Sequence, residues 1–248
     1  MNNNSQSESS ISYKNTDALL DGEKYLPGYN KTVVTEIANF FKIQPQKETF
    51  VKQGKSILDF GAGSGSLAEI FRNDYNAVPT CIEIDPDLRA ILLKKKFICY
   101  SKIIQKKFEY VYSSNVLEHI EDDVAAIRML RSVIVPDGKI AIYVPALPFL
   151  FSDLDRRAGH FRRYKRRELV LKFQESGFII DKCFYNDSLG VPASFALKFL
   201  GYRNHLGLGS GRSLRFYDKH IYPISRFLDK LFFRNIIGKN LFLFAHRK

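Results

Sequence analysis

The chain has 248 residues, a length that suits one α/β core with embellishments, and nothing in it suggests two independent cores. Its net charge of +12 lies in one part: residues 1–93 hold 9 Lys/Arg against 12 Asp/Glu and residues 94–248 hold 29 against 14, which suits an anionic substrate, an anionic membrane surface or nucleic acid. The three cysteines, Cys81, Cys99 and Cys183, are dispersed with no C-x-x-C pair, which argues against a disulfide framework or a zinc site and fits a reducing cytoplasm.

The opening MNNNSQSESS has neither the basic nor the apolar region of a signal peptide, so residues 1–24 are expected to form a disordered polar leader and residues 25–248 one domain. The longest apolar stretch, 140–151, is shorter than the ~20 residues of a membrane span and contains Pro145 and Pro148. Between residues 29 and 43, Val33, Val34, Ile37, Phe40 and Phe41 recur at helical spacing, and the following 47–55 segment is polar.

The stretch 56–66, SILDFGAGSGS, organises the rest. Ile57, Leu58 and Phe60 supply a short buried strand, Gly61, Gly63 and Gly65 a turn, and a helix is expected from 66 to about 73. Glycine admits left-handed dihedrals and lets a ligand approach bare backbone, while the helix that follows points its amides at that ligand. A dinucleotide loop would place its third glycine at position 66, where Ser66 stands instead. The arrangement Asp59, Gly61, Gly63, Gly65 resembles motif I of the class I S-adenosylmethionine (SAM) methyltransferases. That resemblance implies a doubly wound, mostly parallel seven-stranded sheet in the order 3-2-1-4-5-7-6, the seventh strand antiparallel, with SAM as cofactor. It also implies that the 29–43 helix caps the cofactor pocket. Tyr25 or Tyr29 is then placed to close over SAM, although core packing is the expected role of both.

In TCIEIDPDL a second strand ends in acids. Glu83 is assigned to the ribose hydroxyls, because Asp85 is followed by Pro86 and reads as the cap of the next helix. Residues 97–101 fit a third strand, but 102–107 lack the acid that binds the adenine amino group in many such enzymes, which leaves either backbone near Tyr100 and Ser101 for that contact or an abbreviated edge of the sheet.

FEYVYS, at 108–113, reads as the fourth strand, and the following SNVLEHI resembles the segment beside the methionine part of the cofactor in one large group of these enzymes. Asn115 and Leu117 are therefore expected to line the cofactor site, with His119 a candidate general base against the alternative that Glu118-His119 is a purely structural helix start. Related quinone-biosynthesis O-methyltransferases use a further Glu where Asn115 stands to complete a metal site, so no metal is expected. A helix at 122–133 ends before Pro136, Asp137 and Gly138, which read as a turn into the fifth strand, KIAIYVPA.

The insert that follows carries seven Arg/Lys between positions 156 and 167 and no acid among them. It resembles the D-x-x-x-G-H-x-R-R-Y pattern of bacterial methyltransferases of glycan and polyprenyl-sugar pathways, in Asp155, Gly159, His160, Arg162, Arg163 and Tyr164. The resemblance implies substrate contacts from His160, Arg162, Arg163 and Tyr164, with His119, Asp155 and His160 as unranked candidates for the base; Lys165, Arg166 and Arg167 read as the solvated start of a 165–176 helix. Strands are expected at 178–185 and at the NLFLFAHRK end, separated by a helical insertion at 186–238. Within it, Ile221, Ile224, Phe227, Leu228 and Leu231 fall on one side of a 217–233 helix. Core packing is the first expectation for that side, and a lid, a dimer surface or a membrane-lying helix are the others. The 207–211 glycines follow no apolar strand and are not read as a nucleotide loop.

The function expected is methyl transfer from SAM to an oxygen of a small molecule, glycan or lipid-linked sugar. The alternatives are an RNA methyltransferase, weakened by the absence of N-P-P-Y or D-P-P-Y after the fourth strand, and a SAM-binding module without turnover.

Overall fold

The computed structural model describes Leu20 and residues 23–45, 56–200 and 211–248, with backbone alone at positions 197, 199 and 200. The leader through residue 19, the polar 47–55 segment and the glycines at 207–210 lie outside the described residues. Strands β1 (Ile57–Phe60), β2 (Thr80–Ile82), β3 (Cys99–Tyr100), β4 (Phe108–Ser114), β5 (Ile134–Pro145), β6 (Phe178–Asn186) and β7 (Asn240–Arg247) alternate with helices α1 (Pro27–Phe41), α2 (Ser66–Tyr75), α3 (Pro86–Lys94), α4 (Asp123–Ser132), α5 (Asp153–Arg157), α6 (Arg166–Glu175), α7 (Gly190–Leu200), α8 (Gly211–Phe216) and α9 (Tyr222–Leu231).

The sheet runs β3-β2-β1-β4-β5-β7-β6, the order expected from the sequence. β1 to β5 pair in parallel, and β7 runs antiparallel to both β5 and β6. All four residues of β1 are buried because helices cover both faces. Successive side chains point to opposite faces, so Ile57 joins Val33, Ile37, Phe41, Phe71 and Tyr112 on the α1–α2 side, while Leu58 joins Val111, Ile127 and Leu130 on the α4 side.

Several boundaries differ from expectation for local reasons. α1 starts at Pro27, two residues early, since proline suits the first turn of a helix. β3 is only two residues long, because Phe97 turns inward to pack on Leu92 and Ala68. The expected turn at 136–138 lies inside β5: Asp137 adopts a left-handed φ of 58° and the pairing jumps from Phe108–Ile134 to Tyr110–Lys139, which is a bulge.

The helical insertion reverses the first expectation made for it. The side of α9 that faces the protein is Tyr222, Ser225 and Asp229, with Asp218 just before it. Asp218 accepts the amides of Gly28 and Tyr29 at 2.9 and 2.8 Å, capping the first turn of α1. Asp229 accepts those of Asp187 and Ser188 at 2.7 and 3.1 Å, and the Ser225 hydroxyl accepts that of Leu189. These acids are drawn inward because the loop ends they meet have unpaired N–H groups. The apolar side, Ile224, Phe227 and Leu231, is left facing out.

Candidate active site

The glycine turn at the carboxyl end of β1 is held in left-handed dihedrals, with φ of 77°, 56° and 88° at Gly61, Gly63 and Gly65. A Cβ at Gly65 would come within 2.6 Å of Leu92, and one at Gly61 would run into Val116, so the turn packs directly against the segment after β4. Glu83 fixes the other side: one carboxylate oxygen accepts the Gly63 amide at 2.8 Å and the other the Asp85 amide at 2.9 Å. Burial raises its pKa even though these amides favour the charged form. Asp85 caps α3 through Asp87 and Leu88, as read from Pro86. Beneath the turn, Asp59 accepts the Tyr112 hydroxyl at 2.8 Å, and burial pushes its carboxyl up to about 7.

A backbone that no Cβ could line, the amide end of α2 and a buried carboxylate on the next strand end form a cradle suited to the methionine and ribose ends of SAM. Sequence reasoning missed one member. Glu23, assigned to the leader, accepts a hydrogen bond from the Ser64 hydroxyl on the turn, so the cradle extends to that residue. Tyr29 does not cover it: its hydroxyl pairs with that of Tyr143 and accepts the Asn240 side-chain amide in the core. Asn115 takes a left-handed φ of 54° with its side chain exposed at the end of β4, whereas the Leu117 side chain is sunk in the core. The Leu117 side chain thus belongs to the packing of the sheet.

The family described as "Methyltransferase domain" matches residues 31–182. The chain belongs to that family. Its cofactor is S-adenosylmethionine and its fold is the Rossmann-like class I methyltransferase fold. A SAM-dependent methyltransferase from Archaeoglobus fulgidus superposes with a TM-score of 0.56 at 16% identity, over 92% of this chain and 99% of that one. Magnesium protoporphyrin IX methyltransferase from Synechocystis PCC 6803, with bound S-adenosylhomocysteine, gives 0.53 at 13% identity over 91% and 86%. Haemonchus contortus phosphoethanolamine N-methyltransferase 2 gives 0.53 at 14% identity over 86% and 52%. Among curated protein sequences none matches the chain.

Between the segment after β4 and the insert, the methyltransferase brings together residues far apart in sequence. The His119 and His160 rings meet edge to face with centroids 4.5 Å apart. His160 Nδ1 lies 3.0 Å from Asp155 Oδ1, and that oxygen also accepts Arg163 Nε at 2.9 Å. The other Asp155 oxygen accepts the Ser152 amide and hydroxyl. Burial works to raise the Asp155 pKa, but the bonds from His160, Arg163 and Ser152 outweigh it and hold the carboxyl well below the usual range. Burial and the His160 ring push His119 down to about 4, so that ring is neutral and a weak base. Beside them Glu118 is fully buried with neither carboxylate oxygen hydrogen-bonded, and burial pushes it up to about 8.

Glu118, His119 and His160 each bring one donor atom within 4.8 Å of the others, a set that fits a divalent ion. The expectation of no metal rested on Asn115; the third donor comes from the insert, a position the spacing around Asn115 does not reveal. The remaining insert residues depart from their expected role. Tyr164 is fully buried and donates to Asp123 at 2.8 Å, which corrects its assignment as a substrate contact. Arg162 pairs with the same Asp123 at 2.9 Å, as does Lys172 at 2.6 Å. Arg163 is spent on Asp155 and the Ala146 carbonyl. These cations neutralise buried acids and hold the insert to the sheet, while Arg157, Lys165 and Arg167 stay exposed around it.

Proposed function

We propose that the protein methylates an oxygen of an anionic small molecule, glycan or lipid-linked sugar, with His160 as the base. The observation that carries this reading is the Asp155–His160 pair, on an insert whose His119 neighbour belongs to the segment packed against the glycine turn. Bound in the cradle of Gly61, Gly63, Gly65, Glu83 and Asn115, SAM supplies an electrophilic sulfonium methyl, so the protein's tasks are alignment and removal of the acceptor's proton. As the acceptor oxygen attacks, its proton passes to His160, and Asp155 stabilises the imidazolium that forms. His119 is too weak a base for this step, and Asp155 has both oxygens occupied. Asp155 and Arg163 are thus positioning residues. The basic surplus of residues 94–248, 29 Lys/Arg against 14 Asp/Glu, supports an anionic acceptor.

Incubation with methyl-labelled SAM and separate lipid, glycan and RNA fractions tests the reading. Label is expected in a lipid or glycan fraction, and His160→Ala should lower turnover by about 10²–10⁴-fold with SAM binding kept. Label in RNA alone overturns the acceptor class, and SAM binding without transfer to any fraction favours a non-catalytic module.

A further inference from the structure

The geometry points to the outward face of α9 and its flanks as a docking surface for an anionic lipid bilayer. An amphipathic helix packed on a protein normally buries its apolar stripe. Here Ser225, Asp229 and Asp218 are buried and bonded to backbone amides, while Phe216, Ile224, Phe227, Leu231, Phe232 and Ile236 are 52–68% exposed. Ile224, Phe227 and Leu231 follow at helical spacing, so they form one stripe, and Phe232 and Ile236 extend it past the end of the helix. A contiguous apolar surface of this kind marks an interaction site.

Charge selects the occupant. Residues 211–239 contain seven Lys/Arg and two acids, Asp218 and Asp229, and both acids are on the inner side. Glu36 of α1 neutralises Arg234 at 2.9 Å, and the exposed charges that this segment itself presents are cations, with Lys219 and Lys230 beside the apolar stripe. A second copy docked on the same patch would set like charges against each other. An anionic bilayer accepts both features at once, the rings and aliphatic chains at the acyl boundary and the ammonium groups among the lipid phosphates. No helix among the described residues is long and apolar enough to cross a membrane, so the contact is with one leaflet.

Cosedimentation of the full chain with vesicles, without SAM or acceptor, tests this independently of activity. Binding is expected to vesicles of phosphatidylcholine with phosphatidylglycerol, and to weaken in high salt. Phe227→Ser with Leu231→Ser, both at exposed positions, should reduce the partition coefficient at least about tenfold with an unchanged thermal midpoint. Lys219→Glu with Lys230→Glu should remove the preference for anionic vesicles. Equal binding to pure phosphatidylcholine, no binding at all, or a concentration-dependent dimer that the Phe227/Leu231 variant abolishes would each overturn the inference.

Discussion

Asp59 gives the site a pH-dependent stability that can be measured without knowing the acceptor. Its carboxyl moves from 3.8 to about 7 on folding, chiefly through burial, with the Tyr112 hydrogen bond opposing and the charges of Glu83 and Glu23 adding to the rise. The folded state therefore keeps a proton that the unfolded chain releases above pH 4. Stability contributed by this group is present below the unfolded value and is lost as pH rises through the folded one. A shift of about three pKa units corresponds to about 4 kcal/mol lost between pH 4 and pH 7, and the 2% exposure of Asp59 leaves little solvent screening to reduce it. Asp59→Asn keeps an oxygen to accept the Tyr112 hydroxyl and removes the titration. Urea unfolding at a series of pH values should show the variant gaining on the parent by a few kcal/mol as pH climbs from 4 to 8. Parallel pH curves for the two proteins would refute the burial argument.

Glu83→Gln turns one oxygen that accepts a backbone amide into a donor facing it, so SAM affinity should fall about 10–100-fold by calorimetry, and unchanged binding would separate Glu83 from the cradle. Tyr164→Phe removes the bond to buried Asp123 and should cost about 1–3 kcal/mol of stability with kcat/KM preserved; a raised KM with stability intact would return Tyr164 to the substrate. Zinc added to the purified enzyme should inhibit transfer, reversibly with chelator, because an ion held by Glu118, His119 and His160 takes the lone pair the base needs. Stimulation by zinc would contradict the assignment of His160 as the base.

The glycine turn and the strand end beside it were legible because their causes are local. Glycines that need positive φ, a carboxylate at the next strand end and a proline after Asp85 all act within a few residues of themselves, and the structure keeps each where the spacing put it. The arrangement of the insert was not, because its partners are distant. Arg162 and Tyr164 resemble substrate ligands until Asp123, some forty residues earlier, is found beneath them. Nothing in the local pattern of Glu118 and His119 announces that His160 completes the group. Periodicity located the apolar stripe of α9 but does not tell which side of a helix meets the protein. That was decided by amides at Gly28, Tyr29 and Asp187 needing acceptors.

The position of β7 shapes how the chain reaches this state. It lies between β5 and β6 and pairs with both along nearly its whole length, yet it emerges from the ribosome after them. Until it arrives, the nascent polypeptide carries two unpaired strand edges rich in Ile, Phe and Tyr, the kind of surface that recruits neighbours. Completion of the sheet is thus a late, long-range event, and slow refolding with aggregation at high concentration is the cost of that topology.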